Sequence, residues 1–292
     1  MIEAGHPPTP GCSPDSGPIP RPAASTTSPP APRQPSRAPR GYLPAMAAEQ
    51  NLSIEPVPPV ERALVVTAHP DDVDFGAGGT VAHWVNQGSV VTYCVITDGD
   101  AGGFDPDVPR SQIPAIRRAE QITAGESLGV ADVRFLGYRD GSLTVTMGLR
   151  RDISRVIRQV RPERMLIQSP ERNWQRIQAS HPDHLAAGEA ALCAIYPDAR
   201  NPFAHTELLA DEGLVDWVVP EVWIMAGPQP THAVDVTDFV DAKLTALRAH
   251  ASQTAHMDDL DERIRGWLSG AAAQAGLPEG RYAETFQIIH IS

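Results

Sequence analysis

From residue 60 onward, short apolar runs alternate with segments whose apolar residues recur at helical spacing. Strands are predicted over residues 62–68, 90–97, 133–136, 165–167 and 221–225. Helices are predicted over residues 80–87, 113–128, 149–160, 185–195 and 240–250. Repeated β-α-β units with such short linkers predict a single α/β domain built on a doubly wound, mostly parallel, Rossmann-like sheet.

The first 45 residues differ from the rest, because they hold 13 of the 29 prolines and show almost no aliphatic periodicity. A segment of this composition buries too little apolar area to offset its ordering entropy, so we expect disorder over 1–45. Two interpretations compete: a flexible tail, or a start-site error with Met46 as the true initiator. The second is favoured because no targeting or ligand motif is present. Residues 46–292 are expected to form the domain.

Composition excludes several classes of protein. The net charge of −12 argues against nucleic-acid binding. No apolar run reaches the length of about 18 residues that a membrane span needs, and the N-terminus lacks the pattern of a secretory signal. The three scattered cysteines fit a reducing compartment, so a cytoplasmic location is expected.

Two short motifs rich in His and Asp follow predicted strands. Residues 68–72, Ala-His-Pro-Asp-Asp, come directly after the first strand. Residues 180–184, Ser-His-Pro-Asp-His, follow the fourth strand and open a helix. In a doubly wound sheet both lie at the carboxyl edge, where ligands bind at the switch in strand order. One such motif alone is explained by an ordinary strand-to-helix turn in which Asp caps the helix. The presence of two such motifs favours a single site formed where they meet.

The residue types in these motifs suit a catalytic zinc ion. Such a site commonly has three protein ligands and a fourth position for water, and His69, Asp72 and His184 can supply the three. We therefore expect one Zn²⁺ per chain, with Fe²⁺ as the alternative in the cell. Asp71, beside a ligand, is free to act as general base. His181 can stabilise the oxyanion or protonate the leaving amine, and Asp183 can fix its tautomer.

Further segments extend this pattern into a family resemblance. They are Gly-Ala-Gly-Gly-Thr at 76–80, Thr-Asp-Gly at 97–99, Arg117-x-x-Glu120, Phe-Leu-Gly-Tyr at 135–138 and Asp140-Gly141. With the two His/Asp motifs they make residues 62–253 resemble the LmbE-like or PIG-L family of zinc-dependent de-N-acetylases.

The resemblance implies a fold, a reaction and a set of residue roles. It implies metal ligation by His69, Asp72 and His184. Asp71 is then the base, His181 stabilises the transition state, and Arg117 and Asp140 contact the sugar. The implied substrate is a small N-acetylated amino sugar or sugar-thiol conjugate, whose N-acyl amide is hydrolysed. Relatives often self-associate, so a homo-oligomer is also an expectation.

Two positions depart from the family pattern. Many relatives carry Glu directly after the two aspartates, where this chain has Val73 followed by Asp74. Some mycothiol-type enzymes have a tyrosine where this chain has Ala179, which weakens the case for a mycothiol precursor as substrate. Two further residues are candidate substrate contacts: Trp174 in the loop before the second motif, and His290 as a late histidine that caps the active site.

Two other functions remain open at this point. A metal-dependent phosphoesterase with two metals needs extra bridging carboxylates, for which Asp98 and Asp100 are candidates. A non-catalytic, metal-stabilised binding protein needs the ligands alone, and the presence of Asp71 and His181 argues against it.

Overall fold

The computed structural model of the protein describes residues 52–56 and 58–291. The predicted disordered extension over 1–45 and the alternative start at Met46 lie outside these residues. Within the described part of the chain, no helix is long and apolar enough to cross a bilayer.

The described chain alternates strands and helices for most of its length. The strands are β1 (Arg62–Thr67), β2 (Val90–Thr97), β3 (Asp132–Tyr138), β4 (Arg164–Gln168), β5 (Glu221–Met225), β6 (His232–Asp235) and β7 (Ala283–His290). The helices are α1 (Asp72–Asn86), α2 (Ile113–Ser127), α3 (Met147–Val160), α4 (Pro182–Cys193), α5 (Thr206–Ala210), α6 (Val240–Ala249), α7 (Ala251–Thr254) and α8 (Leu260–Gln274). Short 3-10 turns cover Arg110–Gln112, Ile177–Ser180 and Thr237–Phe239, and a π turn covers Ala194–Ala199.

The seven strands form one sheet in the order β3-β2-β1-β4-β5-β7-β6. The first five run parallel, and β7 pairs antiparallel with β5 on one side and β6 on the other. The doubly wound, mostly parallel sheet is therefore confirmed. The direction of winding reverses between β1 and β4, so the loops that leave these two strands diverge and open a crevice between them.

Helices cover both faces of the sheet, as its apolar strands require. On one face, α3 and α4 pack on alternate residues of the strands, including Leu64, Cys94 and Met165. On the other face, α1, α2 and α6 pack on the intervening residues, including Val65 and Trp223. The two layers hold β1 and β4 rigidly beneath the loops that carry the two motifs.

Helix α1 begins at Asp72, eight residues earlier than the sequence predicted, because its glycine-rich segment is helical. These glycines are required by close packing. A Cβ at Gly76 would lie 2.5 Å from the sulfur of Met225, and one at Gly79 would lie 2.8 Å from Val236. The bare face of α1 thereby lies directly against β5 and the segment after β6.

The antiparallel edge, β6 with β7, and helix α8 were not predicted from sequence. Strand β6 has only four residues, two of them half-buried, so it lacks a clear strand pattern. Glu284 connects β7 to α1 and α6: it accepts hydrogen bonds from the backbone of Gly79 and Thr80 and pairs with Lys243 of α6. The edge strand thus braces α1.

A buried carboxylate joins α3 to the segment after α4. Asp198 is 3% exposed and accepts two hydrogen bonds from Arg150, at 2.8 and 2.6 Å, and lies 3.1 Å from Nε2 of His205. Burial alone would raise the pKa of Asp198, but the hydrogen bonds from Arg150 and His205 outweigh it and hold the pKa below 3.8.

We expect Asp198→Ala to lower the free energy of unfolding by about 2 to 4 kcal/mol, because it leaves Arg150 without its partner. A depressed carboxyl pKa stabilises the fold above the unfolded pKa of 3.8, and this contribution disappears as pH falls through the folded value. Urea titration at neutral pH and at pH 3 checks both statements. The exposed pair of Asp241 with Arg265 provides the control; an equal loss in Asp241→Ala would contradict the argument.

Candidate active site and metal centre

The two motifs meet at the crevice between β1 and β4. His69 follows β1 in a tight turn, His181 is the N-cap residue of α4, and His184 lies in the first turn of that helix. The three imidazole rings have centroids 5.1 to 5.3 Å apart. Residues 115 positions apart in the sequence therefore form a single cluster.

Three donor atoms of this cluster have the spacing of ligands around a small dication. His69 Nδ1 lies 3.2 Å from His184 Nε2 and 3.3 Å from an oxygen of Asp72, and His184 Nε2 lies 3.0 Å from the other Asp72 oxygen. Ligands about 2.0–2.1 Å from a tetrahedral zinc are about 3.3 Å apart. The predicted set of His69, Asp72 and His184 fits a metal by atom type and by distance.

The opposite ring nitrogen of His69 faces two further carboxylates. Nε2 lies 3.0 Å from Asp140 and 3.4 Å from Asp183, and it is buried without a well-directed hydrogen bond to either. His69, Asp140 and Asp183 are themselves close enough to hold a cation. Carboxylates that face the outer nitrogen of a ligand histidine also fix its proton there, which leaves Nδ1 free to bind metal. A neutral imidazole offers one lone pair for a metal, so the two nitrogens of His69 cannot both be ligands. We favour Nδ1 as the ligand, with the proton on Nε2.

The charge of the site calls for a cation. Four carboxylates, those of Asp71, Asp72, Asp140 and Asp183, lie at this cluster, and among the residues that the structure describes the only guanidinium paired with them is that of Arg117. Burial disfavours the charged ring of His69, yet the neighbouring carboxylates raise its pKa far above 6.5. Such a cluster of negative charge is stable when a dication or protons neutralise it.

Asp71 lies beside the metal ligands, and its carboxylate pairs with Arg117. Its φ of 94° is left-handed, which is rare for a residue other than glycine and turns its side chain towards Arg117. Arg117 donates to its carboxylate at 3.0 Å and to the carbonyl of Pro70 at 2.6 Å. Burial raises the pKa of Asp71 to about 6, although Arg117 lowers it. This is the environment of a general base.

A buried chain of hydrogen bonds, the relay, fixes the backbone of Asp71, and the sequence analysis missed it. The side-chain oxygen of Gln121 accepts from the backbone N–H of Asp71 at 2.8 Å, and its nitrogen donates to Asp74 at 2.9 Å. Nε2 of His250 lies 2.8 Å from the same Asp74 oxygen. Gln121, Asp74 and His250 are each fully buried. Asp74, which follows the departing position Val73, therefore supports the left-handed turn at Asp71 through Gln121.

We expect Gln121→Leu to lower kcat by about 10- to 100-fold while metal content stays near that of the wild type, because the base loses its anchor but the ligands do not. Steady-state kinetics and elemental analysis of the same preparation measure the two quantities. Gln159→Leu is the matched control, since Gln159 is exposed on α3 and bonds only to Arg134. Full activity in Gln121→Leu would show that the relay is dispensable.

His181 and Asp183 are arranged differently from the sequence expectation. The backbone N–H of Asp183, not its carboxylate, meets Nδ1 of His181, at 3.2 Å. The Asp183 carboxylate instead accepts from the backbone of Gly141 and Leu143 and faces His69. His181 caps the first turn of α4, so its ring accepts the backbone N–H of Asp183 in that turn and the Asp183 carboxylate does not reach it. Burial and the nearby His69 and His184 lower the pKa of His181, so its ring is neutral at neutral pH.

Arg117 and Asp140, predicted to contact the sugar, line a cavity of about 340 Å³ together with His69, Asp71 and His181. Both also have internal partners. Arg117 is 4% exposed, and its guanidinium occupies the space where a Cβ of Gly99 would stand, so Gly99 is required there. Gly141, which the sequence analysis named beside Asp140, and Gln178, which it did not single out, also line the cavity.

The other two predicted substrate contacts lie away from this cavity. Trp174 is 80% exposed, carries Arg172 over its ring, and is not among the cavity residues. His290 ends β7 opposite Glu221, the first residue of β5, which places it at the amino edge of the parallel strands. The prediction that His290 caps the active site is therefore wrong, because β7 runs antiparallel and ends at the opposite edge.

The two carboxylates proposed as ligands of a second metal, those of Asp98 and Asp100, have other partners in the structure. Asp98 pairs with Arg118 at 2.6 Å, and Asp100 accepts the backbone N–H of Asp140 at 2.8 Å. Neither belongs to the metal-capable groups found among the described residues. Asp98 and Asp100 therefore do not serve as the bridging carboxylates that a two-metal phosphoesterase requires.

A mostly parallel α/β sheet with a cluster of His and Asp that can hold a metal at its switch point, and a further carboxylate beside it, is typical of a metal-dependent hydrolase. Comparison with known proteins agrees. The family model for PIG-L, GlcNAc-PI de-N-acetylase, matches residues 64–195. The chain is 32% identical to diacetylchitobiose deacetylase of Thermococcus kodakarensis, over 80% of this chain and 85% of the relative.

Two further proteins extend the comparison. A probable N-acetyl-alpha-D-glucosaminyl L-malate deacetylase of Bacillus cereus is 33% identical, with 70% of this chain and 89% of the relative covered. The structure of N,N'-diacetylchitobiose deacetylase from Pyrococcus horikoshii superposes with a TM-score of 0.71 at 29% identity, over 79% of this chain and 84% of that one. The chain belongs to the PIG-L family of de-N-acetylases.

Proposed function

We propose that the protein is a zinc-dependent N-deacetylase that hydrolyses the acetamide of an N-acetylglucosamine-containing small molecule. The observation that carries the proposal is the ligand triangle of His69, Asp72 and His184, with Asp71 beside it and not within it. The similar proteins named above act on N-acetylglucosamine conjugates, which supports this substrate class. When bound, the metal lowers the pKa of water and polarises the amide carbonyl.

The residues of the chain then have distinct tasks. Asp71 takes the proton of the attacking water and delivers it towards the leaving amine, and the Arg117 guanidinium keeps that carboxylate ionised and oriented. Nδ1 of His181 accepts the Asp183 N–H, so a neutral ring carries its proton on Nε2. That Nε2–H can donate a hydrogen bond to the oxygen of the tetrahedral intermediate. Asp140 and Asp183 hold the ring of His69.

The test is release of acetate from N-acetylglucosamine and its conjugates by the purified chain, before and after removal and reloading of zinc. We expect deacetylation that is lost on chelation and restored by zinc. Hydrolysis of phosphomonoesters with no acetate release would favour the phosphoesterase instead. Metal binding without either reaction would favour a non-catalytic binding protein.

A further inference from the structure

A buried ion pair holds the first turn of α1, where that helix packs against α6 and β7. Lys243 of α6 and Glu284 of β7 lie 2.7 Å apart, and their side chains are 1% and 2% exposed. Lys243 donates to the carbonyl oxygens of Asp74 and Phe75, in the first turn of α1, at 2.7 Å each. Glu284 accepts two backbone N–H groups one turn further along α1. The pair therefore fixes the backbone of the helix at its beginning.

The partners of Lys243 match the geometry of an ammonium group. Nζ of a lysine carries three N–H donors and no acceptor, and three oxygens lie 2.7 Å from it here. The guanidinium of an arginine spreads its donors over a flat fork, so it cannot direct three of them at oxygens around a single point. Position 243 therefore requires a lysine for its geometry as well as for its charge.

The sequence agrees with this requirement. Among the 24 residues that are Lys or Arg, Lys243 is the only lysine, so the chain uses arginine at every other such position. The surface of α1 is also shaped for the lysine stem. A Cβ at Gly78 would lie 3.2 Å from Cγ of Lys243, so a side chain there would press on the stem. The glycine and the lysine therefore fit each other where α1 meets α6.

The backbone that Lys243 holds leads directly to the catalytic carboxylates. The N–H groups of Asp74 and Phe75 both donate to the carbonyl of Asp71, at 3.0 Å each. Asp72 is the first residue of the same helix. A shift of this turn would therefore move Asp71 and Asp72 together, relative to the ligand on α4.

We propose that Lys243 is a positioning residue for catalysis. Its three hydrogen bonds set the place of the first turn of α1, and thereby the place of Asp71 beside the metal ligands. The inference rests on the proposed function. Gln121 and His250 hold the side chain of Asp74. Lys243 differs from them because it holds the backbone of the turn, and it acts on the reaction through that backbone.

The first experiment removes the ion pair. Lys243→Met combined with Glu284→Gln removes both charges together, so that no charge is left buried alone. We expect kcat for acetate release to fall by roughly 10- to 100-fold, with KM and zinc content near their wild-type values. Lys243→Arg should lose as much, because it keeps the charge and not the geometry. A wild-type kcat in either protein would overturn the inference.

A milder variant tests the same contact with the lysine in place. In Gly78→Ala the new Cβ displaces the stem of Lys243 by a few tenths of an ångström, so kcat should fall by roughly two- to fivefold. Gly266→Ala is the matched control, because Gly266 is also helical and a Cβ there meets no atom within 4 Å. An unchanged kcat in Gly78→Ala, or an equal loss in both variants, would contradict the proposal.

A merely structural role predicts a lower Tm with an unchanged kcat. Arg150→Met is the reference for that case, because it breaks the pair with Asp198, outside the cavity. It should lower Tm and keep kcat. A loss of kcat in Arg150→Met as large as that in the Lys243 and Glu284 double variant would assign the effect to stability and overturn the inference.

Absence of acetate release by the wild type would instead defeat the proposed function. The visible absorption of the chain loaded with Co²⁺ then tests the positioning without turnover, because these bands depend on ligand geometry. We expect the double variant to bind Co²⁺ with altered bands, since Asp72 lies in the turn that Lys243 holds. Identical bands in the variant and the wild type would contradict the inference, as would a wild type that binds no Co²⁺.

Discussion

Replacement of Asp71 by asparagine should lower kcat by about a thousandfold or more while the chain keeps its metal. Asparagine has nearly the same shape and retains a partner for Arg117, but it cannot accept the proton of the attacking water. General-base catalysis contributes about 10²–10⁴ in rate, and the loss should fall on kcat because the metal ligands and the cavity are intact. Acetate release and elemental analysis of one preparation give both quantities.

The control for Asp71→Asn is a change of similar size in a carboxylate outside the chemistry. Asp152 serves, because it pairs with Arg155 on the surface of α3 and hydrogen-bonds Tyr138, away from the cavity. Asp152→Asn should retain wild-type kcat. If Asp71→Asn also retained it, another group would have to be the base, and Asp71 would be a structural residue of the turn.

Removal of the His184 side chain should abolish metal binding and, with it, activity. His184 Nε2 is one corner of the donor triangle, at 3.2 Å from His69 and 3.0 Å from Asp72. Two remaining ligands bind zinc far more weakly than three, so we expect about one zinc per chain in the wild type and almost none in His184→Ala. Elemental analysis measures this directly, with no assumption about the substrate.

His290→Ala is the matched histidine control, since its ring is 77% exposed at the far edge of the sheet. It should keep both its metal and its activity. Retention of one zinc per chain in His184→Ala would move the metal to the other candidate group, His69 with Asp140 and Asp183. Two zinc ions per chain in the wild type would contradict the single-metal site and favour the two-metal phosphoesterase.

The sequence could predict the ligands because their chemistry is local. Each motif sits directly after a strand, and parallel strands bring their carboxyl ends to one edge, so convergence of 68–72 with 180–184 follows from topology alone. The roles of Asp183 and Asp140 could not be predicted. Both face His69 across distances that depend on how α4 and the loop after β3 pack, which no spacing in the sequence encodes.

The errors at the C-terminal end have a related cause. An antiparallel edge strand reverses the edge at which its last residue lies, and one residue range cannot reveal that β7 returns beside β5. His290 was therefore assigned to the wrong side of the sheet. The support of Asp71 by Gln121 was missed for a similar reason, because a glutamine within a helix has no distinguishing pattern until α2 is packed against α1.

Lys243 has a practical consequence for anyone who handles the protein. It is the only lysine in the chain, and its ammonium group is 1% exposed, with hydrogen bonds to the carbonyls of Asp74 and Phe75 and to Glu284. Amine-reactive dyes and cross-linkers should therefore spare the folded domain, and trypsin will find only arginines on its surface. Acylation of Lys243 then requires local opening of its contacts with α1 and β7, so the rate of acylation reports how often these contacts break.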